Sequence, residues 1–127
     1  MTTTSRKLSS HIVPGTMNEE LCIEVLDAPG QGNACHEYAI SYSDSQGSRL
    51  SQYIHFQNGP IQEYGVNGIS NEALLAIVED RLLGFQSGPY LCRENAIALT
   101  HIQDALMWLQ KRTRDRLARG VEGRNER

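Results

Sequence analysis

The sequence is short of cysteine, of long apolar runs and of paired metal ligands. Its three cysteines, Cys22, Cys35 and Cys92, are an odd number and contain no CxxC pair, which argues against a disulfide framework and against a zinc site. No apolar run approaches the roughly 20 residues that a membrane helix needs, and the first ten residues lack the apolar segment of a secretory signal. We therefore expect a metal-free protein that contacts no membrane and acts in the cytoplasm where it is made.

Sequence motifs for catalysis are absent as well. The chain has no GxSxG, HExxH or GxxxxGK[ST] motif, and no GxGxxG follows a predicted strand. Glu79 and Asp80 are adjacent and point in different directions on a helix, whereas His101 and Asp104 have the spacing of an ordinary surface pair. We expect a protein that is not an enzyme and uses no cofactor.

The charge of the chain is modest but unevenly distributed. The formal net charge is -3, yet acidic residues predominate up to Pro89 and basic residues predominate from Tyr90 onward. An acidic protein is a poor general DNA-binding protein, because the DNA backbone is a dense row of phosphates. A locally basic segment suits a site for a small anion better.

The first half of the chain predicts a small antiparallel sheet. Residues 1–18 are polar and poorly patterned, which is typical of a flexible arm. Residues 19–66 contain short apolar runs separated by turn residues, with no helix between them, and this predicts a β-meander. The predicted strands are residues 21–26, 36–42, 50–57 and 61–64.

The second half predicts a helical hairpin over residues 70–119. Ser70 is a good N-cap for a first helix that ends near Gln86, and a second helix begins near Cys92. Residues 19–120 then form a single α+β domain, with a polar tail at 121–127. At about 1.5 Å per residue the second helix spans about 40 Å, which is as wide as a domain of this size. It should therefore overhang its own core and pack on another subunit, so we expect an oligomer.

A row of arginines continues the apolar stripe of the second helix. Arg112, Arg116 and Arg119 follow Leu109 at helical spacing, and like charges four residues apart repel. Guanidinium groups match phosphate oxygens in bidentate geometry, so a phosphate-bearing ligand relieves that repulsion. The alternative is that the row is simply the solvated basic end of a helix, and the spacing alone favours this alternative.

Aromatic and amide groups accompany this row. Phe85 and Trp108 can stack on a base, although either can equally be a core residue. Asn95 lies in the first turn of the second helix, where an amide can cap the backbone or contact a base or ribose. Arg93 places a further positive charge near that helix start.

Several of these segments resemble a known family. Residues 56–61 (FQNGPI), 66–77 (VNGISNEALLAI) and above all 92–100 (CRENAIALT), which continue into 105–109 (ALMWL) and 111–113 (KRT), resemble the helical hairpin of phage Thoeris anti-defence sponges of the cyclic ADP-ribose-binding type. Anti-CBASS cyclic nucleotide sponges share that hairpin. The β region favours the Thoeris type, because the anti-CBASS members are shorter and largely helical.

The resemblance implies a function and a site. Such proteins hold glycocyclic ADP-ribose between subunits of a dimer or hexamer in the host cell cytoplasm without cleaving it, and some also capture cyclic di- or trinucleotides. It implies that Phe85 stacks on the ligand, Asn95 makes a polar contact and Arg112 contacts phosphate, with Arg116 as a second contact. Arg93 also matches the motif, with a structural role as its alternative. The alternative function is a phage assembly or interaction protein whose hairpin only mediates oligomerisation.

Overall fold

The structure is a computed structural model that describes residues 5–120. The chain divides into two compact units, the first ending at Asn58 and the second beginning at Gly59. The first unit, called here the sheet unit, contains a four-stranded antiparallel sheet, and the second, the hairpin unit, contains the helices. The predicted α+β class is therefore confirmed.

The sheet is a meander in which each strand is antiparallel to its neighbour. The strand order follows the chain, and the register aligns Val25 with Tyr38 and Tyr38 with Ile54. These three side chains therefore share one face of the sheet. Successive side chains of a strand point to opposite faces, which explains the alternation of apolar residues in the sequence. The strands are β1 (Arg6–Leu8), β2 (Cys22–Val25), β3 (Glu37–Ser43) and β4 (Arg49–His55).

Strand β1 lies in the segment 1–18, which the sequence predicts to be a flexible arm. Arg6, Lys7 and Leu8 pair with β2. Three residues of which two are charged give no strand pattern, so only the neighbouring strand reveals them. The domain boundaries otherwise stay predictions, and residues 1–4 and the predicted polar tail at 121–127 lie outside the described residues.

The carboxylate of Asp27 ties the loop after β2 to the start of β3. It accepts the backbone N–H groups of His36, at 3.0 and 3.1 Å, and of Glu37, at 3.1 Å. Burial works to raise the pKa of Asp27, but these N–H donors and the nearby His36 ring lower it more, so the pKa lies below its ordinary value. The charged form of Asp27 therefore stabilises the sheet unit.

The predicted fourth strand at 61–64 is wrong. Ile61–Tyr64 forms a single helical turn, α1. Pro60 precedes it with the φ of -66° that proline favours, and Gly65, at a positive φ of 67°, closes it by donating its N–H to Ile61 O. Proline before the first helical residue and glycine after the last are helix signals, and here they outweigh the apolar pattern.

The helical hairpin is confirmed. It consists of α2 (Asn71–Gln86) and α3 (Arg93–Ala118). Ser70 Oγ accepts the N–H of Ala73 at 3.1 Å, as expected for an N-cap. The corresponding cap of α3 is Cys92, whose Sγ accepts the N–H of Asn95 at 3.4 Å, although cysteine is a poor capping residue.

The hairpin buries little of its apolar surface within one chain. In α2 no residue is fully buried, and in α3 only Leu106 and Arg116 are. Large apolar side chains on both helices remain exposed, among them Ile77 at 58% and Leu83 at 48%. A helix that is apolar on several sides is normally buried by something else, so this unit has the character of half an interface.

Two negative findings apply to residues 5–120. Among them, no helix combines the length and apolar character needed to cross a membrane. In the same part of the chain, no group of three or more His, Cys, Asp or Glu side chains is arranged to hold a metal ion.

Candidate functional site

The outer face of α3 carries an aromatic ring followed by arginines. Trp108 and Arg112 are four residues apart, and Arg119 follows two turns later, so the three lie on one side of the helix. An open groove runs along this part of the helix. We call it the arginine groove, and its lining residues are Trp108, Lys111, Arg112, Asp115, Arg116, Ala118 and Arg119.

The cations near this groove differ in whether their charge is already neutralised. Lys111 Nζ lies 2.7 Å from Asp115 Oδ2, so that lysine is paired. Arg112 and Arg119, in contrast, have no ion pair or hydrogen bond from their side chains to any residue within 5–120. Two uncompensated guanidinium groups on one helix face have the chemistry that suits binding of an anion.

Trp108 is exposed rather than part of the core. Its side chain is 62% exposed, which excludes the interpretation of Trp108 as an ordinary core residue of the single chain. An indole one turn before Arg112 offers a flat surface next to a positive charge, and stacking of a base on such a surface is worth about 1–3 kcal/mol. The groove therefore offers the two contacts that a nucleotide needs, one for its base and one for its phosphate.

A second groove lies at the turn between α2 and α3. Phe85, 44% exposed, has the Arg81 guanidinium carbon 5.8 Å from its ring centre, a cation–π contact. Tyr90, 78% exposed, lies beyond the turn. We call this the turn groove, and its lining residues are Asp80, Arg81, Gly84, Phe85, Gly88, Pro89 and Tyr90.

Asn95 and Arg93 lie at the same end of the hairpin. The cap of α3 is Cys92 and not Asn95, so the Asn95 side chain is not used for capping. That amide is half-buried and makes no hydrogen bond to another residue within 5–120. Arg93 is exposed. The amide is therefore free to contact a ligand at the turn end.

The structure separates the predicted site residues into two groups within one chain. Asn95 and Arg112 are 17 positions apart on one continuous helix, which is about 25 Å along its axis. Phe85 belongs to the turn end with Asn95, and Arg112 and Arg116 belong to the other. One mononucleotide-sized ligand cannot contact both groups of a single chain.

Arg116 differs from the other arginines of its row. Its side chain is only 8% exposed although it lines the arginine groove, and it interacts elsewhere in the chain. Arg119, which the sequence analysis names only as the end of the row, is exposed. The geometry therefore makes Arg119 the better companion for Arg112.

Sequence reasoning missed Arg81. It lies four residues before Phe85 on α2, and that spacing places the two side chains together. The helical prediction for residues 70–86 already contained the signal. The sequence does not show, however, that Phe85 is exposed. The Arg81–Phe85 contact matters for ligand binding only because Phe85 is exposed.

Comparison with known proteins connects this hairpin to a family. The family model described as the Acb2/Tad1 hairpin domain matches residues 50–114. A curated protein of Bacillus phage SBSphiJ7, Thoeris anti-defense 1, is 53% identical over 73 residues, which cover 58% of this chain and 51% of that protein. The chain thus spans about half the length of the curated relative that it matches. The resemblance found in the sequence is confirmed: the chain belongs to the Acb2/Tad1 hairpin family.

Proposed function

We propose that this protein is a phage anti-defence sponge. It binds glycocyclic ADP-ribose, and cyclic di- or trinucleotides as further ligands, in the host cell cytoplasm and withholds them from the effectors that they activate. Two findings support this function, the family of the hairpin and the name of the phage relative, Thoeris anti-defense 1.

The observation that carries the proposal is the pairing of Trp108 with unneutralised arginines on an exposed helix face. An ADP-ribose isomer presents an adenine and a pyrophosphate, which are a flat ring and an anion. Trp108 supplies a stacking surface, and Arg112 and Arg119 supply guanidinium groups without a carboxylate partner within 5–120. An arginine that is paired with a carboxylate must break that ion pair before it can bind phosphate. Arg112 and Arg119 have no such pair to break within residues 5–120.

The chemistry of the two grooves suits capture rather than turnover. Stacking and ion pairing bind a nucleotide without touching its glycosidic or phosphate bonds. The carboxylates that line the grooves are Asp115, which is paired with Lys111, and Asp80 on the exposed surface of α2. We therefore propose that the ligand is released unchanged.

A complete site needs two chains. The turn-end group of Phe85 and Asn95 and the arginine groove lie about 25 Å apart along α3. An antiparallel partner hairpin brings the turn end of one chain to the arginine groove of the other. The same contact covers apolar side chains that one chain leaves exposed, such as Ile77 and Leu83, and this supports a homo-oligomer, a dimer or a hexamer.

A sponge needs tight binding, because it competes with an effector. Nanomolar affinity corresponds to about -12 kcal/mol. Stacking at about 1–3 kcal/mol per base and phosphate contacts enclosed at a subunit interface approach this value only when the site is preorganised. Rigid helices are a suitable scaffold for that purpose.

Capture followed by heat release tests the proposal. The full chain is incubated with glycocyclic ADP-ribose, or separately with a cyclic trinucleotide, and passed through a filter that retains protein. We expect the ligand to disappear from the filtrate and to reappear intact after denaturation, whereas linear ADP-ribose serves as a control for simple phosphate attraction. Ligand that stays in the filtrate contradicts the proposal, and ligand recovered in altered form indicates an enzyme.

The second candidate is an assembly protein whose hairpin only mediates oligomerisation. The exposed apolar residues of the hairpin favour it, because they require a partner but not a ligand. It predicts that the oligomer forms, that no cyclic nucleotide is captured and that Phe85→Ala and Arg112→Ala leave every property unchanged. The capture experiment therefore separates the two functions.

A further inference from the structure

The sheet ends on a long open edge at β4. This strand is the last in the order β1-β2-β3-β4 and has seven residues, whereas β1 at the other edge has three. All of its residues are exposed except Ile54, which is half-buried. Proteins usually protect such an edge with Lys, Pro or a bulge, because its free backbone groups pair readily with another strand. The sequence of β4, RLSQYIH, contains neither Lys nor Pro.

The outward backbone groups of β4 can be identified from the register. Phe56 N–H donates to His36 O at 2.8 Å, and residues of an antiparallel pair point alternately toward and away from the neighbour. Residues 50, 52 and 54 therefore face β3. Arg49, Ser51 and Tyr53 direct their backbone N–H and C=O groups away from β3 and toward the open edge.

We propose that β4 pairs antiparallel with β4 of a second copy of this chain, about a two-fold axis at Gln52. A two-fold contact requires a surface that complements itself. In β4, residues at equal distances on either side of Gln52 have similar chemistry. Leu50 and Ile54 lie two residues on either side of Gln52, and the hydroxyl-bearing Ser51 and Tyr53 lie one residue on either side. An unrelated peptide would not require this symmetry.

The register places matching side chains opposite each other. On one face Leu50, 42% exposed, lies opposite the partner's Ile54, and Gln52 lies opposite the partner's Gln52, where two amides can hydrogen-bond. On the other face Tyr53, 74% exposed, lies opposite the partner's Ser51 and diagonal to the partner's Tyr53. Such cross-strand pairs are the contacts that stabilise sheets.

The charges at the ends of β4 are complementary in the same register. Arg49 lies opposite the partner's His55, and within each chain His55 Nδ1 is 2.6 Å from a Glu37 carboxylate oxygen. Among residues 5–120, the Arg49 side chain bonds only to the hydroxyls of Ser41 and Ser43. It can therefore reach the partner's Glu37 without leaving a carboxylate unpaired.

This contact is separate from ligand capture and from the hairpin. Two paired seven-residue strands bury less surface than a stable dimer normally needs, so the contact adds to an assembly held by the helices. Two different two-fold contacts on one chain generate a closed assembly with an even number of copies when their axes intersect. The sheet edge thus explains how a dimer of hairpins grows to a larger oligomer.

A single cysteine tests the register. Residues opposite each other at a non-hydrogen-bonded position have Cα atoms about 4.5 Å apart, which is within the range for a disulfide. Gln52→Cys should therefore form a covalent dimer of the full chain under mild oxidation, at a rate at least tenfold above that of Gln46→Cys in the exposed β3–β4 turn and of the unsubstituted chain. Cross-linking of Gln52→Cys no faster than these controls overturns the proposal.

Proline at an outward position tests the backbone pairing. Ser51→Pro removes an N–H that β3 does not use, and proline is tolerated at such edge positions. Its mass by light scattering should therefore fall to that of the hairpin dimer, which is half the mass of a tetramer and one third of the mass of a hexamer. Ser51→Thr keeps the N–H and should match the parent. If Ser51→Pro keeps the parent mass, the proposal is contradicted; if its circular dichroism shows misfolding, the Gln52→Cys result decides alone.

Discussion

The two units of this chain differ in how they are stabilised and in which side chains they leave exposed. The sheet unit fixes its loops with internal polar contacts, such as Asp27 to the N–H groups of His36 and Glu37, and it fully buries Val25 at 1% exposure. The hairpin unit leaves Ile77 and Trp108 exposed at 58% and 62%. The difference agrees with the proposal that a second chain covers the apolar side of the hairpin and that a ligand binds its basic side. The sheet unit has a buried core of its own, although it too exposes large apolar side chains, among them Leu50 and Tyr53 at the β4 edge.

The largest expected effect comes from placing a charge on the apolar side of the hairpin. Ile77→Asp should reduce the oligomer to monomer, because an unpaired charge in an interface costs about 3 kcal/mol or more. Ile12→Asp is the matched control in the sheet unit, where Ile12 is 39% exposed, and it should leave the mass unchanged. Light scattering measures the mass of both variants. Equal masses for the two would contradict the claim that the hairpin unit, and not the sheet unit, holds the oligomer together.

Next in size is the loss of one phosphate contact. Arg112→Ala should weaken binding of glycocyclic ADP-ribose about 100-fold, because truncating a buried charged contact costs roughly 2–5 kcal/mol. Arg114→Ala is the control, since Arg114 is hydrogen-bonded to Gln110 and does not line the arginine groove. Isothermal titration measures both. A similar loss of affinity in the two variants would show that the arginines attract the ligand only through their general charge and not through a contact in the arginine groove.

A smaller effect concerns the sheet unit and depends on pH. Asp27→Ala should lower the free energy of unfolding by about 2 kcal/mol at pH 7, because hydrogen bonds to a charged group are lost. Since the pKa of Asp27 is lowered in the folded state, its contribution is present above the unfolded pKa near 4 and disappears as the pH falls through the folded pKa. Urea unfolding at pH 7 and pH 3 should show the difference between wild type and variant narrowing. A difference that is constant with pH contradicts this role.

The smallest effect is the loss of a helix cap. Ser70→Ala should cost about 1 kcal/mol in the hairpin unit, because the Ala73 N–H loses its acceptor. Ser70→Asp restores an acceptor and adds a favourable charge at the helix start, so it should recover the loss. Thermal unfolding followed by Trp108 fluorescence measures both variants, and an unchanged melting temperature for Ser70→Ala would show that the cap is dispensable.

Much of the fold follows from local sequence signals. The hairpin was predictable because Ser70 and the break at 87–89 mark its helix ends, and three strands were predictable from their alternation. The turn at Ile61–Tyr64 was missed because four apolar and polar residues read as a short strand, and only Pro60 and Gly65 indicate a helix. Strand β1 is too short to have a pattern of its own.

The site was less predictable than the fold. The sequence predicts candidate nucleotide-binding residues, but helical spacing does not say whether Trp108 is core or surface, or that Arg112 lacks a carboxylate partner within residues 5–120. It also hides the distance between Asn95 and Arg112 until the helix is seen to be continuous. Burial and pairing are tertiary properties, so the proposal of a site divided between two chains required the structure.

Mixing two inactive variants tests that division most directly. Phe85→Ala and Arg112→Ala are each expected to lose capture of glycocyclic ADP-ribose, and the two are then unfolded together, refolded as mixed oligomers and assayed. If the site combines the turn end of one chain with the arginine groove of its partner, each mixed pair contains one intact site, so capture should return to about a quarter of the wild-type capacity for random pairing. If the mixture captures no ligand although mixed oligomers form, the two-chain site is contradicted.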